Sequence, residues 1–260
     1  MSGDPLHTGS NRTPPLAGTA RRILTPVLDA LLPHRCLACG TLVEAAGVLC
    51  PDCWMGIETI GPPRCEACGL PFEFDLGAGT LCGDCARERP TFDRARAALI
   101  YNDRSRGLVL AFKHADRTEA AVPFARWMIR AGEALVTEGP VVVPVPLHWT
   151  RLFARRYNQA ALLALAIGRE TGLEVTVDAL IRRRRTPSQG RLGRSARRRN
   201  VAGVFAVPPV RRPRIEGRRV LLVDDVMTTG ATVAACAKVL RRAGAQSVDV
   251  LTLARVVRAG

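Results

Sequence analysis

The chain has 260 residues, 47% of them apolar and 23% charged, room for a medium α/β domain plus a small one and far from the composition of a globally disordered protein. Its 38 Lys and Arg against 23 Asp and Glu leave a formal net charge of +15, which favours phosphate-bearing partners, either a small phosphorylated ligand or nucleic acid. No run is long and apolar enough to cross a membrane, since the best early one, 23–32, is short and interrupted by Pro26 and Asp29.

In chain order, residues 1–20 are polar and rich in Pro, Gly, Ser and Thr, which predicts a disordered tail. Arg21 and Arg22 before the apolar run faintly imitate a signal peptide. No small-residue cleavage site follows, so a cytoplasmic protein with a short amphipathic entry helix is expected. Residues 36–85 carry eight of the nine cysteines among many Gly and Pro, with little periodicity. Such a segment cannot fold on apolar burial alone.

The eight form four C-x-x-C pairs: Cys36/Cys39, Cys50/Cys53, Cys65/Cys68 and Cys82/Cys85. This spacing lets a tight knuckle present two thiolates to one tetrahedral Zn²⁺. Gly40, Gly69 and Gly83 fall where knuckle turns need positive φ. Two pairs per metal make two closed, structural sites, each contributing on the order of 10 kcal/mol to folding. Eight thiolates and two Zn²⁺ together remove four charges and leave the chain at +11, still strongly basic. A disulfide framework or a redox motif competes poorly, given four copies and no secretory signal. Cys236 stands alone in a helical pattern and reads as a small buried residue.

From Phe92 the pattern changes. Residues 95–101 predict a strand, 108–114 and 119–136 helices, and the valine run 141–145 a strand buried on both faces. Helix is expected over 157–171, strands over 173–181, 201–207 and 220–223, a helix over 230–243 closed by Gly244, and a last strand over 246–253. Alternating strands and helices predict a mostly parallel sheet flanked by helices. The domains expected are the tail 1–20, the entry helix and double zinc ribbon 21–90, and the α/β domain 91–260.

The sharpest chemical signal is Val220-Leu-Leu-Val-Asp-Asp-Val-Met-Thr-Thr-Gly-Ala-Thr232. A buried strand runs into two carboxylates and then a hydroxyl- and glycine-rich turn that opens a helix. Backbone N–H groups at a helix N-terminus bind a phosphate dianion. Thr228, Thr229 and Thr232 add hydroxyls, Gly230 allows close approach with Ala231 completing the substrate-binding loop, and Asp224 and Asp225 can accept from ribose hydroxyls or help hold Mg²⁺. No Walker-type G-x-x-x-x-G-K-[ST] occurs.

This segment resembles the phosphoribosyl pyrophosphate (PRPP) motif of type I phosphoribosyltransferases. The resemblance implies that the loop after the proline-rich strand, with Leu147, His148 and Arg151, takes the pyrophosphate. Some purine-salvage members carry an aspartate base where Thr228 stands, so here the loop supplies no base. Between Arg182 and Arg214 lie twelve arginines and no acid. A run without apolar periodicity reads as a loop, and the resemblance implies that it is the mobile one that closes over the ligand, where its arginines could clamp pyrophosphate or equally track a nucleic-acid backbone.

Taken together, the cysteine pairs, Pro144-Val-Pro-Leu147, Arg151, Arg155 through Gln159, Thr186, Gln189, Arg197, Asn200 and the loop 224–232 resemble the ComF family, linked to competence and DNA uptake. One departure is Arg156, where that family usually has glycine. The resemblance implies a double zinc ribbon joined to a phosphoribosyltransferase-like domain. It leaves open a PRPP-dependent transferase, a non-catalytic single-stranded DNA adaptor working with DNA-uptake proteins, and a PRPP-sensing regulator. An aromatic content of 5% offers no extended stacking platform for single strands. Trp149 and Tyr157 could stack on a base but are more often packing residues.

Overall fold

The computed structural model describes residues 33–114, 118–148, 157–184 and 199–257. The tail, the entry helix, Trp149, Arg151, Arg155, Arg156, Thr186, Gln189 and Arg197 lie outside them.

Two short helices, α1 (Pro51–Met55) and α2 (Gly83–Arg87), belong to the cysteine region. Next come β1 (Ala95–Ile100), α3 (Asp103–His114), a 3-10 turn (Thr118–Ala120), α4 (Ala121–Ala131), α5 (Glu133–Val136), β2 (Val141–Pro144) and α6 (Gln159–Thr171). The chain continues through β3 (Ile181–Arg182), β4 (Phe205–Ala206), a 3-10 stretch (Pro209–Arg214), β5 (Arg219–Met227), α7 (Ala231–Arg242) and β6 (Ser247–Arg255).

The main sheet has the order β1-β6-β5-β2, and all three pairings are parallel. β3 and β4 form a separate antiparallel ribbon. Side chains alternate between the faces of a strand, and the core divides accordingly. Val141, Val143, Val220, Leu222, Val248 and Val250 face α7, with Cys236, Ala237 and Leu240. Val142, Leu221, Val223, Leu251 and Leu253 face α3, α4 and α6, with Phe112, Phe124, Met128, Leu163 and Ile167. α4 buries Ala121, Phe124, Ala125 and Met128, the i, i+3, i+4, i+7 stripe of an amphipathic helix.

Several expectations need correction. α3 begins at Asp103, five residues before the expected start. Asn102 and Ser105 bond reciprocally there, Asn102 N to Ser105 Oγ at 2.9 Å and Ser105 N to Asn102 Oδ1 at 3.0 Å, a capping box. The helix expected over 119–136 breaks at Gly132, where a Cβ would lie 2.7 Å from Leu251 Cδ1. The strand expected over 173–181 is instead a single parallel bridge, Val142 to Val175, followed by a turn and β3. Residues 199–201 are helical, Gly203 turns with φ 65°, and only Phe205–Ala206 is strand. The strand expected over 220–223 runs on to Met227, so both carboxylates lie inside it.

Among the described residues no helix is long and apolar enough to cross a membrane.

Two glycines of the helical layer should respond with opposite signs. A Cβ at Gly168 in α6 would meet Val175 Cγ2 at 2.3 Å and Leu173 O at 3.1 Å, whereas one at Gly107 in α3 meets nothing within 4 Å. Gly168→Leu is expected to cost about 1–3 kcal/mol by overpacking, and Gly107→Ala to gain about 0.5–1 kcal/mol of helix stability. Thermal unfolding of the two variants beside the parent checks the contrast.

Candidate functional site

The cysteine region is built twice. Gly40 N donates to Cys36 O and Gly69 N to Cys65 O, closing equivalent knuckles, and Gly40 and Gly69 have φ 79° and 68°. Gly83 does not share that role, because it opens α2. Cys50 and Cys82 are the N-caps of α1 and α2. Their N–H groups donate to Cys36 Sγ and Cys65 Sγ, both at 3.3 Å.

Within each quartet, Cys36/Cys39/Cys50/Cys53 and Cys65/Cys68/Cys82/Cys85, the sulfurs lie within 4.8 Å of one another. The pairing is therefore sequential. Cys39 Sγ is 3.7 Å from Cys50 Sγ, and Cys68 Sγ is 3.7 Å from Cys82 Sγ. A tetrahedron with metal–sulfur bonds of about 2.3 Å has edges of about 3.8 Å, so the donor sets fit Zn²⁺. The hydroxyl and backbone of Thr41 hold the Cys39 thiol down to about 6, whereas burial and the neighbouring sulfurs push the Cys53 thiol up, the crowding of sulfurs that a bound cation relieves. Four sulfurs complete each site and leave no position for a substrate.

The second ribbon is bolted to the sheet. Ala95 N donates to Ala67 O at 2.7 Å, and Arg96 donates to Glu66 O at 2.9 Å and to Glu66 Oε1 at 2.7 Å. Arg255, at the end of β6, donates to Cys68 O. A Cβ at Gly69 would sit 2.4 Å from Ala95 O, so the knuckle needs glycine for both its turn and its docking.

Toward the other edge of the sheet, β2 and β5 pair side by side, Val141 with Val220 through Pro144 with Val223. From β2 the chain leaves through α6 on one face toward the outer bridge at Val175. From β5 it leaves through α7 on the opposite face toward β6. Neighbouring parallel strands whose connections diverge open a crevice at their carboxyl ends, the usual ligand position of open α/β sheets.

The groups at that crevice come from four places. β5 supplies Asp224 and Asp225, and strand alternation sends them to opposite faces. Asp224 is in register with Thr252, while Asp225 Oδ2 lies 2.8 Å from Lys113 Nζ of α3. Burial, then the neighbouring Asp225 charge, holds the Asp224 carboxyl well above the usual carboxylate range, against the pull of the Asp225 N–H and Lys113. Thr228, Thr229 and Gly230 form the turn into α7, with Gly230 as N-cap at φ 75° and Ala231 and Thr232 opening the helix. Thr229 Oγ1 is buried without a hydrogen-bond partner among the described residues, a donor poised for an acceptor. The stretch after β2 supplies Leu147 and buried His148.

Asn158 and Gln159 brace this corner. Asn158 caps α6, accepting from Ala160 N at 3.1 Å, and donates to Val145 O at 3.1 Å. Gln159, 2% exposed, donates to Lys113 O at 3.3 Å, and Tyr157 donates to Phe112 O at 3.3 Å. Sequence reasoning missed Lys113, whose partner lies far along the chain. Its one available signal was rarity, since only Lys113 and Lys238 are lysines among the 38 basic residues.

The arginine segment is less uniformly free than its sequence implies. Arg211 pairs with Asp178 and Arg212 with Glu216, and Arg182 lies over the Phe205 ring. Cys236 is fully buried, with its thiol pushed up by that burial.

Comparison with known proteins places two domain families on the chain: the double zinc ribbon domain over residues 27–86 and the phosphoribosyl transferase domain over residues 161–258. β1 and β2 precede the second match, yet they are strands of the same sheet. The chain is 31% identical to competence protein F of Haemophilus influenzae, covering 85% of this chain and 96% of that protein. It is 32% identical to the DNA utilization protein YhgH of Escherichia coli K12, over 74% of this chain and 84% of that one. Among solved structures it is similar to orotate phosphoribosyltransferase from Aeropyrum pernix, at 17% identity and TM-score 0.32 over 61% of this chain and 80% of that one.

Two outcomes follow from this geometry. Cys65 is fully buried and its ribbon carries the contacts to β1, whereas Cys39 is exposed. Cys65→Ser is therefore expected to lower the thermal midpoint by several degrees more than Cys39→Ser, with each variant releasing one zinc in a colorimetric assay. For Asp224, a raised folded-state pKa means that the folded chain binds the extra proton. Its contribution is fullest at low pH and is lost as pH rises through the folded value. The ligand-free Asp224→Asn variant should match the parent near pH 4 and gain progressively in thermal midpoint toward pH 8.

Proposed function

The chain belongs to the ComF family, and from that premise we propose that its α/β unit binds PRPP, with Mg²⁺, in the crevice between β2 and β5. The observation that carries this reading is the meeting of three unlike groups at one switch point: a helix-opening hydroxyl loop, a pair of strand carboxylates, and the post-β2 corner. In this reading Thr228, Thr229, Gly230, Ala231 and Thr232 hold the 5-phosphate, with α7 N–H groups aimed at it. Asp224 and Asp225 accept from the ribose hydroxyls and offer hard oxygen ligands to Mg²⁺, which commonly binds through one or two carboxylates plus substrate phosphate. Leu147 and His148, with Arg151 and Arg155, take the diphosphate, and Gln189 and Arg197 close over it.

The reaction such a site supports is displacement at the ribose C1. A nucleophilic acceptor forms the new bond, the C1–oxygen bond to diphosphate breaks, and its electron pair leaves with pyrophosphate. Mg²⁺ would neutralise charge developing on the leaving group. The protein's part is positioning and further charge neutralisation by arginine. With threonine at 228 the loop adds no base, so the acceptor must arrive nucleophilic or bring its own.

The relatives' names tie the family to competence and DNA utilization, and we assign this chain a cytoplasmic role in handling incoming DNA. The +15 charge favours a second reading, a non-catalytic adaptor for single-stranded DNA, or one whose partner contact is switched by PRPP.

Calorimetric titration of the zinc-loaded protein with PRPP and Mg²⁺, beside Asp224→Ala/Asp225→Ala, separates PRPP binding from the single-stranded DNA adaptor, and release of pyrophosphate in the presence of an acceptor separates turnover from sensing. Saturable binding that the double variant abolishes is the expected result. If the parent takes up no PRPP yet binds single-stranded DNA with steep salt dependence, the adaptor reading replaces it.

A further inference from the structure

The Lys113–Asp225 pair is unusual for its place and its chemistry. Nζ and Oδ2 are 2.8 Å apart, with the side chains 19% and 16% exposed. Basic positions in this chain are otherwise almost all arginine, so a lysine here is a chemical choice worth explaining. Arginine's rigid planar fork would engage a carboxylate bidentately and thereby fix the directions in which its remaining N–H groups point. An ammonium is compact and carries three donors. It can hold one carboxylate oxygen and still present N–H to a second anion.

The backbone around Lys113 is fixed for such a task. Its carbonyl accepts from Gln159, the preceding carbonyl accepts from Tyr157, and Asn158 ties the same helix start to Val145 O. The end of α3, the start of α6 and the stretch leading to His148 therefore converge on one corner. That corner lies on the α3–α4–α6 face of the sheet. The turn Thr228–Gly230 leads instead into α7 on the other face. Asp225 stands between two sites suited to anions.

We propose that Lys113, anchored by Asp225, binds the anionic group carried on C1 of the ribose, the diphosphate in PRPP. This deepens the reading of the previous subsection and rests on it. A ribose ring carries its C5 and C1 substituents at opposite ends. With the 5-phosphate on the α7 loop and the ring hydroxyls at the carboxylates, the C1 substituent points toward α3. The site is thereby matched to a sugar charged at both ends. Lys113 joins the stretch after β2 in discriminating it from a sugar charged only at C5.

The test compares two ligands on one protein. Affinities for PRPP with Mg²⁺ and for ribose 5-phosphate are measured calorimetrically on the full-length, zinc-loaded parent, on Lys113→Gln and on Lys113→Met. Thermal midpoints establish that each variant folds, and the glutamine variant keeps an N–H for Asp225 if the methionine variant does not. Loss of one charge-assisted contact should weaken PRPP about 10- to 100-fold and leave ribose 5-phosphate within about twofold. Lys113→Arg keeps the charge, but its remaining donors are fixed by the plane of the fork on Asp225, and it should restore PRPP binding less than fully. Equal weakening of both ligands would make Lys113 a mere organiser of Asp225 and overturn the proposal, as would unchanged PRPP affinity. Failure of the parent to bind either ligand would instead remove the PRPP reading itself, a result visible before any variant is made.

Discussion

β2 and β5 lie hydrogen-bonded in parallel, in register from Val141/Val220 to Pro144/Val223, and every one of these residues is buried. A pair covered on both faces must send its connections to opposite sides to bring a helix layer to each. That requirement determines much of the rest. It puts α6 on one face and α7 on the other and splits the core into two clusters. It also leaves the carboxyl ends of the two strands without a connection across them. The crevice is thus a consequence of burying two valine-rich strands, and its chemistry comes from residues placed on either side of it.

The strands that could be read from sequence were those buried on both faces. Val141–Pro144 and Val220–Val223 of β5 announce themselves by continuous apolar runs, and Ser247–Arg255 is mostly apolar although Asp249 and Thr252 interrupt it. What could not be read depends on distant neighbours. Leu173, Val175 and Val177 alternate as a strand would, yet only Val175 has a free strand edge beside it, and the rest of the stretch turns away. Gly132 looks tolerable within a long helical pattern until Leu251 is packed against it. The carboxylates of the motif were legible, but their placement on opposite faces follows from β5 continuing to Met227. That continuation depends on pairing with β6 at Val226/Ala254 and Met227/Arg255. Lys113 was illegible for the same reason, since its partner is on another strand.

Asn158 and Gln159 show how a motif can carry structure as much as chemistry. Both sit in the segment that marks the family resemblance. In the fold one caps a helix and ties it to Val145, while the other, buried, grips the end of α3. Residues of this kind position a site without touching a ligand, because a polar group buried in the brace must be satisfied there. The zinc ribbons follow the same economy. A backbone N–H supports a sulfur in each quartet, and the knuckle glycine that makes the second turn also makes its contact with β1.

The outer edge of β1 is where that contact matters most. Ile60 N donates to Ala98 O, Ile100 N to Glu58 O and Ala95 N to Ala67 O, so residues of the cysteine region occupy hydrogen-bonding positions that an edge strand would leave open. Open edges recruit other strands, and proteins shield them to stay soluble. Here the shield is a module whose folding is coupled to metal. A chain made in a cell short of zinc exposes an apolar parallel-sheet edge with nothing to cover it. By this coupling, filling of the two cysteine quartets decides whether the β1 edge is covered in a newly made molecule.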